Sequence, residues 1–332
     1  MKKYLFLLLV LPLSAFAISE ENYLVNWQEK VFPHYLTLNS SEFHNAQGMT
    51  VRFHYTLKSG ATKTIVILPG RGEPAAKYAE VIYDIDSPKV NIFVMDHQGQ
   101  GESDRMLEDT HKGHVKSFQN FVADVSQFMQ TIVLPETKGT EHLLLAHSMG
   151  GAISVHYLAQ NPGVFKKAFL NAPMLKLNTK PYAEIIAKIY ATFLVKTGKQ
   201  NDYAPGKGPY VIESDSFEKN VATHSEARHA MSKGLFRDFP ALIVGGPSVS
   251  WVHSALKATS RIQNLGPKIK IPVLMLQSGH DEYVKTERQD SFCDKAPDCE
   301  KILYPQAFHE ILMEKDEVRN DAMKRLKAFF GI

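Results

Sequence analysis

Short unbroken apolar runs alternate along this chain with stretches that repeat apolar residues every three or four positions. Met49 to Leu57 alternates apolar and polar residues and predicts a strand with one wet face. Thr64 to Leu68 and Val90 to Met95 are almost wholly apolar, which predicts strands covered on both faces. They end at Pro69-Gly70 and at Asp96. His142 to Ala146, Ala168 to Asn171, Ile271 to Leu276 and Lys301 to Leu303 predict further strands. Between them, Pro74 to Ile85, Phe118 to Leu134, Met149 to Gln160 and Val318 to Phe330 carry helical spacing. Strands alternating with helices predict an α/β fold, with a mostly parallel central sheet and helices on both faces. From about Leu175 to Gly266 the rhythm stops. Helical pieces such as Tyr182 to Val195, and the Gly/Pro-rich Ala204 to Pro209, predict an inserted helical cap.

Length agrees with this division. At about 150 residues per domain, 332 residues suggest roughly two units. The insertion supplies the second, leaving 18–332 as one α/β domain with its cap. A hydrophobic share of 44% and a charged share of 22% exclude disordered and collagen-like classes. The first residues need separate treatment. Lys2 and Lys3 precede an apolar run from Tyr4 to Leu13, and Ala15-Phe16-Ala17 follows. Basic start, short apolar run and A-x-A ending predict a secretory signal peptide over residues 1–17. Cleavage after Ala17 would send the protein to the periplasm or the medium. It would also remove Lys2 and Lys3, leaving 36 basic against 35 acidic residues from 38 and 35. A mature chain so close to neutral argues against nucleic acid as a partner.

Export bears on the two cysteines. Cys293 and Cys299 are a lone, closely spaced pair, and in an oxidising compartment such a pair predicts a disulfide. Nothing in the sequence requires a cofactor or a metal, and the histidines show no metal-ligand spacing.

The chemistry centres on Ser148. The apolar run His142 to Ala146 leads into Ala146-His-Ser148-Met-Gly150, and a helical pattern follows at once. This is the strand–turn–helix context of a nucleophile elbow, where small residues on either side allow a sharp turn that lifts a hydroxyl into the open. A serine hydroxyl needs a base, and elbow enzymes supply an acid and then a histidine later in the chain. Asp281 follows the strand Ile271 to Leu276, and His309 follows Lys301 to Leu303. Glu282 is the rival acid and His280 the rival base. The oxyanion of an acyl-transfer intermediate needs two aimed N–H donors. The backbone N–H groups of Met149 and of Arg71, in the loop after Leu68, are the candidates. Gly70-Arg-Gly72 lacks the third glycine of a dinucleotide fingerprint. Asp96 reads as a structural hydrogen-bonder in a glycine-rich loop.

Asp96-His-Gln-Gly-Gln-Gly-Glu-Ser103, Leu145 to Ser154 and Phe308 to Lys315 resemble α/β-hydrolases of the monoglyceride lipase group. Gly113-His-Val115 and Val244 to Trp251 resemble its bacterial inner-membrane lysophospholipase branch in particular. The resemblance covers about Phe43 to Phe330. It implies the α/β-hydrolase fold, a nucleophile at Ser148, an acid at Asp281, a base at His309 and oxyanion donors at Met149 and Arg71. It also implies hydrolysis of the carboxylic ester of single-chain lipids. Monoacylglycerol lipase, general carboxylesterase and thioesterase activities are alternatives, and a non-catalytic ligand-binding protein of this fold is a further one. The implied partner is lipid, a lysophospholipid or a monoacylglycerol, with peripheral membrane contact through the cap. Ile185, Ile186, Ile189, Phe193, Leu194, Leu235 and Phe236 are expected either to form a greasy acyl channel there or to pack as the cap's own core.

Overall fold

A computed structural model describes residues 18–332. The expected signal peptide, residues 1–17, lies outside the described residues. Eight strands form one sheet: β1 (Asn39–His44), β2 (Thr50–Thr56), β3 (Lys63–Leu68), β4 (Val90–Met95), β5 (Glu141–His147), β6 (Lys167–Asn171), β7 (Val273–Ser278) and β8 (Cys299–Tyr304). Their order is β1-β2-β4-β3-β5-β6-β7-β8. The first two pairings, β1 with β2 and β2 with β4, are antiparallel, and the other five are parallel.

The eight longer helices are α1 (Ala79–Ile85), α2 (Phe118–Phe128), α3 (Ser148–Gln160), α4 (Glu184–Lys196), α5 (Glu226–Asp238), α6 (Val249–Thr259), α7 (Glu287–Cys293) and α8 (Asp316–Phe330). Strand side chains alternate between two apolar layers, as the period of two demands. Val66, Leu68, Phe93, Leu144 and Leu170 face α2, α3 and α6. Ile65, Ile67, Ile92, Leu143 and Phe169 face α1, α8 and the N-terminal helical stretch at 23–35. Because both faces are covered, the central strands read as continuous apolar runs rather than alternating ones.

β1 has no counterpart in the expected elements. Its sequence, Asn-Ser-Ser-Glu-Phe-His, is polar, and its residues are exposed or half-buried. It is an edge strand in register with β2, from Asn39 opposite Tyr55 to His44 opposite Thr50, so it carries no burial pattern to read.

The segment between β6 and β7 is helical. Its last part joins the body: Trp251 and Ala255 of α6, and Ile262 beyond it, lie in the core beside α2 and α3. α5 is also tied down. Its fully buried Arg228 donates to both oxygens of Glu80 on α1 (2.9 and 3.0 Å) and to Asp316 at the start of α8 (2.9 Å). α4 contrasts with both, since Ala191 and Leu194 are its only buried residues.

The expected disulfide is present. Cys293 ends α7, Cys299 opens β8, and their sulfurs are bonded with Cα atoms 5.2 Å apart.

Candidate active site

Every candidate residue lies just beyond the carboxyl end of a parallel strand, the edge where open α/β sheets place their ligands. β5 ends at His147, and Ser148 begins α3 at φ 48°. This left-handed conformation costs a non-glycine residue of order 1–3 kcal/mol, and packing must hold it. The packing is tight enough to dictate the next positions. A Cβ on Gly150 would run into the backbone oxygens of Leu68 and Pro69, and one on Gly151 into Pro173. The small residues of the elbow are thus contact requirements, made because α3 passes close over the end of β3.

Beyond β8, the His309 ring reaches Ser148, with Nε2 2.8 Å from Oγ. Its Nδ1 lies 2.6 Å from Oδ2 of Asp281, which follows β7. The other Asp281 oxygen accepts the N–H groups of Tyr283 and Val284, each at 2.9 Å. Burial alone would raise the Asp281 carboxyl. The imidazole and the two backbone donors outweigh it and hold the group below the ordinary carboxylate range. Asp281 therefore stays charged and fixes Nδ1–H toward itself, leaving Nε2 free to take a proton from Ser148. The rivals are not in this chain of contacts: His280 and Glu282 are exposed.

Met149 is the second residue of α3, where backbone N–H groups have no intrahelical acceptor. The Arg71 N–H likewise has no acceptor among the described residues. Both residues stand beside Ser148, at the cavity or within the elbow, as an oxyanion pair requires.

The Arg71 loop is held from behind by residues that sequence reasoning left out. Glu73 accepts the Gly70 N–H and the Tyr78 hydroxyl, both at 2.7 Å. Lys77 bridges Glu73 (2.9 Å) to Glu310 (2.6 Å), the neighbour of His309. Burial works against charge on Glu73, but Lys77 and the Tyr78 hydroxyl overcome it and keep the carboxyl ionised. One buried chain thus joins the loop before the elbow to the loop carrying the base. Gln100 adds a clamp, donating to Gly70 and Glu73 carbonyls (2.8 and 3.1 Å) and accepting from the Gly72 N–H (3.1 Å). The available signal was two charged residues, Glu73 and Lys77, bracketing Pro74-Ala-Ala at the start of an apolar helical segment. His147 is buried, with its ring centroid 4.8 Å from that of His309. Asp96 is structural, as expected: it accepts the Ala75 and Glu102 N–H groups at 2.7 and 2.9 Å.

Ser148 and His309 open into a cavity of about 790 Å³. Its apolar wall comes from Met174, Leu177, Val211, Val244, Trp251 and Val284. The expected acyl channel is corrected here. Ile185, Ile186, Ile189 and Phe193 are 54–64% exposed on the outer face of α4. Leu194 and Leu235 are buried, and none of the seven residues lines the cavity. Helical spacing revealed an apolar face but not which side the body would cover.

A family profile described as serine aminopeptidase, S33 (Hydrolase_4) matches residues 59–316. Lysophospholipase L2 of Escherichia coli strain K12 is 32% identical over 300 residues, covering 88% of this chain and 87% of its own. The chain belongs to the α/β-hydrolases of the lysophospholipase and monoglyceride lipase group. Rat monoglyceride lipase is 28% identical, with 86% of this chain and 88% of its own covered. Among solved structures, a soluble variant of Saccharomyces cerevisiae monoglyceride lipase in complex with a substrate analogue superposes with a TM-score of 0.70. At 17% identity over 89% of this chain and 94% of its own, it supports the fold. As a member of this group the chain is a carboxylic ester hydrolase.

Proposed function

We propose that this hydrolase cleaves the carboxylic ester of single-chain lipids, releasing a fatty acid and the glycerol-containing head group. One observation carries the reading: the Ser148–His309–Asp281 contacts of 2.8 and 2.6 Å open into a cavity with an apolar wall and a polar one, beside two unengaged backbone donors. Ser148 Oγ attacks the ester carbonyl carbon while His309 Nε2 takes its proton. Asp281 holds the resulting imidazolium, and the Arg71 and Met149 N–H groups hold the oxyanion. The C–O bond breaks, His309 returns the proton to the departing glycerol oxygen, and Ser148 keeps the acyl group. Water, deprotonated by His309, then attacks the acyl carbon, and the bond to Ser148 Oγ breaks as His309 returns the proton to that oxygen, freeing the fatty acid.

Lysophospholipids are the proposed substrates, with monoacylglycerols second, the two classes named for the relatives matched above. Export by residues 1–17, with cleavage after Ala17, would place the activity outside the cytoplasm, in the periplasm or the medium. The outer face of α4 is the proposed membrane contact, because it sets Ile185, Ile186, Ile189, Tyr190 and Phe193 in water. Matched micellar solutions of lysophosphatidylcholine, lysophosphatidylethanolamine, monoacylglycerol and a short soluble ester test the reading. Both lysophospholipids should be turned over fastest, and Ser148→Ala should turn over none. Preference for the short soluble ester would overturn the lipid assignment.

A further inference from the structure

The side chain of Arg71 is not explained by the mechanism, which uses only its backbone. Its guanidinium rests on the Trp251 ring, with Cζ 5.1 Å from the centroid. Nη2 donates to the Gly245 carbonyl at 2.5 Å. Nε is fully buried and has no hydrogen-bond partner. No carboxylate pairs with this guanidinium among the described residues. Burial lowers its pKa to about 10, opposed only by the nearby Tyr283 hydroxyl, so it remains a cation at neutral pH. The guanidinium is partly buried, has no carboxylate partner among the described residues and keeps one buried N–H unsatisfied, an arrangement that an anion would complete.

The seat is built for this side chain. A Cβ on Gly113 would sit 2.6 Å from Arg71 Nη2, so a larger residue there would displace the guanidinium from this seat. The Gly113 N–H donates to Gly246 at 3.1 Å and the Ser248 N–H donates to Gly113 at 2.7 Å, fastening that segment to the one carrying Gly245 and Trp251. These are the two motifs, Gly113-His-Val115 and Val244 to Trp251, that the hydrolytic chemistry does not otherwise use.

Arg71 lines the same cavity as Ser148. Of the acids there, Glu73 and Glu310 share Lys77, and Asp215 is engaged by Tyr210 and His229. Glu282 is exposed, as are the lysines Lys207 and Lys219 on the same lining. The unpaired charge next to the nucleophile is therefore positive.

Building on the lipid-ester reading above, we infer that the Arg71 guanidinium binds the phosphate of a 1-acyl glycerophospholipid and sets the preference for it over a neutral monoacylglycerol. The covalent spacing agrees. As many bonds separate an arginine's backbone nitrogen from its Cζ as separate the acyl carbonyl carbon from phosphorus in that lipid. One residue can thus meet the oxyanion with its backbone and the phosphate with its side chain. Guanidinium groups suit this work because their N–H fork matches phosphate oxygens.

The test compares kcat/KM for 1-palmitoyl lysophosphatidylcholine and 1-palmitoylglycerol in the wild type, Arg71→Met and Arg71→Lys. The ratio of the two is the readout, since either substitution can also disturb the loop. Arg71→Met should lower the ratio about 30-fold, the scale of one charge-assisted hydrogen bond, and Arg71→Lys should restore part of it. A second measurement needs no variant: glycerol 3-phosphate should inhibit wild-type turnover of a neutral short-chain ester at concentrations where glycerol does not. A ratio within about twofold of wild type in Arg71→Met, or equal inhibition by the two probes, would overturn the inference. A wild type that cleaves neither lipid would instead count against the lipid-ester reading itself.

Discussion

At the scale of the residue, the site is governed by what burial does to charge. Asp281 is buried yet ionised because three donors face it, while Asp124 shows the opposite balance. Burial pushes the Asp124 carboxyl up to about 7, against the amides of Asn45 and Gln98. Its unfolded value is about 3.9, so between roughly pH 4 and 7 the folded state holds more proton than the unfolded one. Asp124 thus favours folding at low pH and loses that contribution as pH rises through 7. His97 runs the other way: burial holds it down at about 4, so its contribution is lost as pH falls from about 6.5 toward 4. Asp124→Asn removes only the first slope. In urea titrations the variant should gain about 1–3 kcal/mol over wild type at pH 8, and the gain should shrink toward pH 4. A difference that is the same at both pH values would contradict this assignment. The nucleophile, acid and base were legible because each follows an apolar run in the required order. Lys77 and Gln100 were not, because Glu310 and the loop at Gly70 to Glu73 are distant in sequence and only the fold brings them together; Glu73 has local partners, but its place behind the Arg71 loop is set by the fold.

At the scale of the element, the parallel strands were legible for the reason they are stable: two covered faces leave apolar runs such as Thr64 to Leu68. β1 was not, because an edge strand in water has no burial period. The face of α4 was misread because amphipathic spacing reports a stripe but not what covers it. The Cys293–Cys299 bridge joins α7 to β8, the strand that closes the other edge of the sheet. Closing so short a loop stabilises by about 2 kcal/mol in the chain-entropy model. Reduction with dithiothreitol should lower the unfolding midpoint by a few degrees. Because the bridge lies outside the cavity, ester turnover at 25 °C should persist. Loss of that turnover on reduction would show that β8 no longer positions His309.

At the scale of the whole molecule, the described chain is one body with a helical segment standing over the carboxyl edge of its sheet. α5 and α6 are fastened to the body by Arg228, Trp251 and Ala255, and α4 carries an apolar face that nothing among the described residues covers. If that face meets lipid, Ile186→Glu with Ile189→Glu should weaken sedimentation with phosphatidylglycerol vesicles several-fold, since each change puts a charge where apolar surface would be buried. Hydrolysis of a soluble short ester should be unchanged, and unaltered vesicle binding would remove α4 from the account. The central claim concerns Ser148 and an acyl intermediate on it. Rapid acid quenching during turnover of 1-palmitoyl lysophosphatidylcholine, followed by mass analysis of proteolytic fragments, reads that intermediate directly. The account predicts a palmitoyl adduct on the fragment containing Ser148, absent from Ser148→Ala. Continued turnover by Ser148→Ala, or an adduct on another residue, would contradict it.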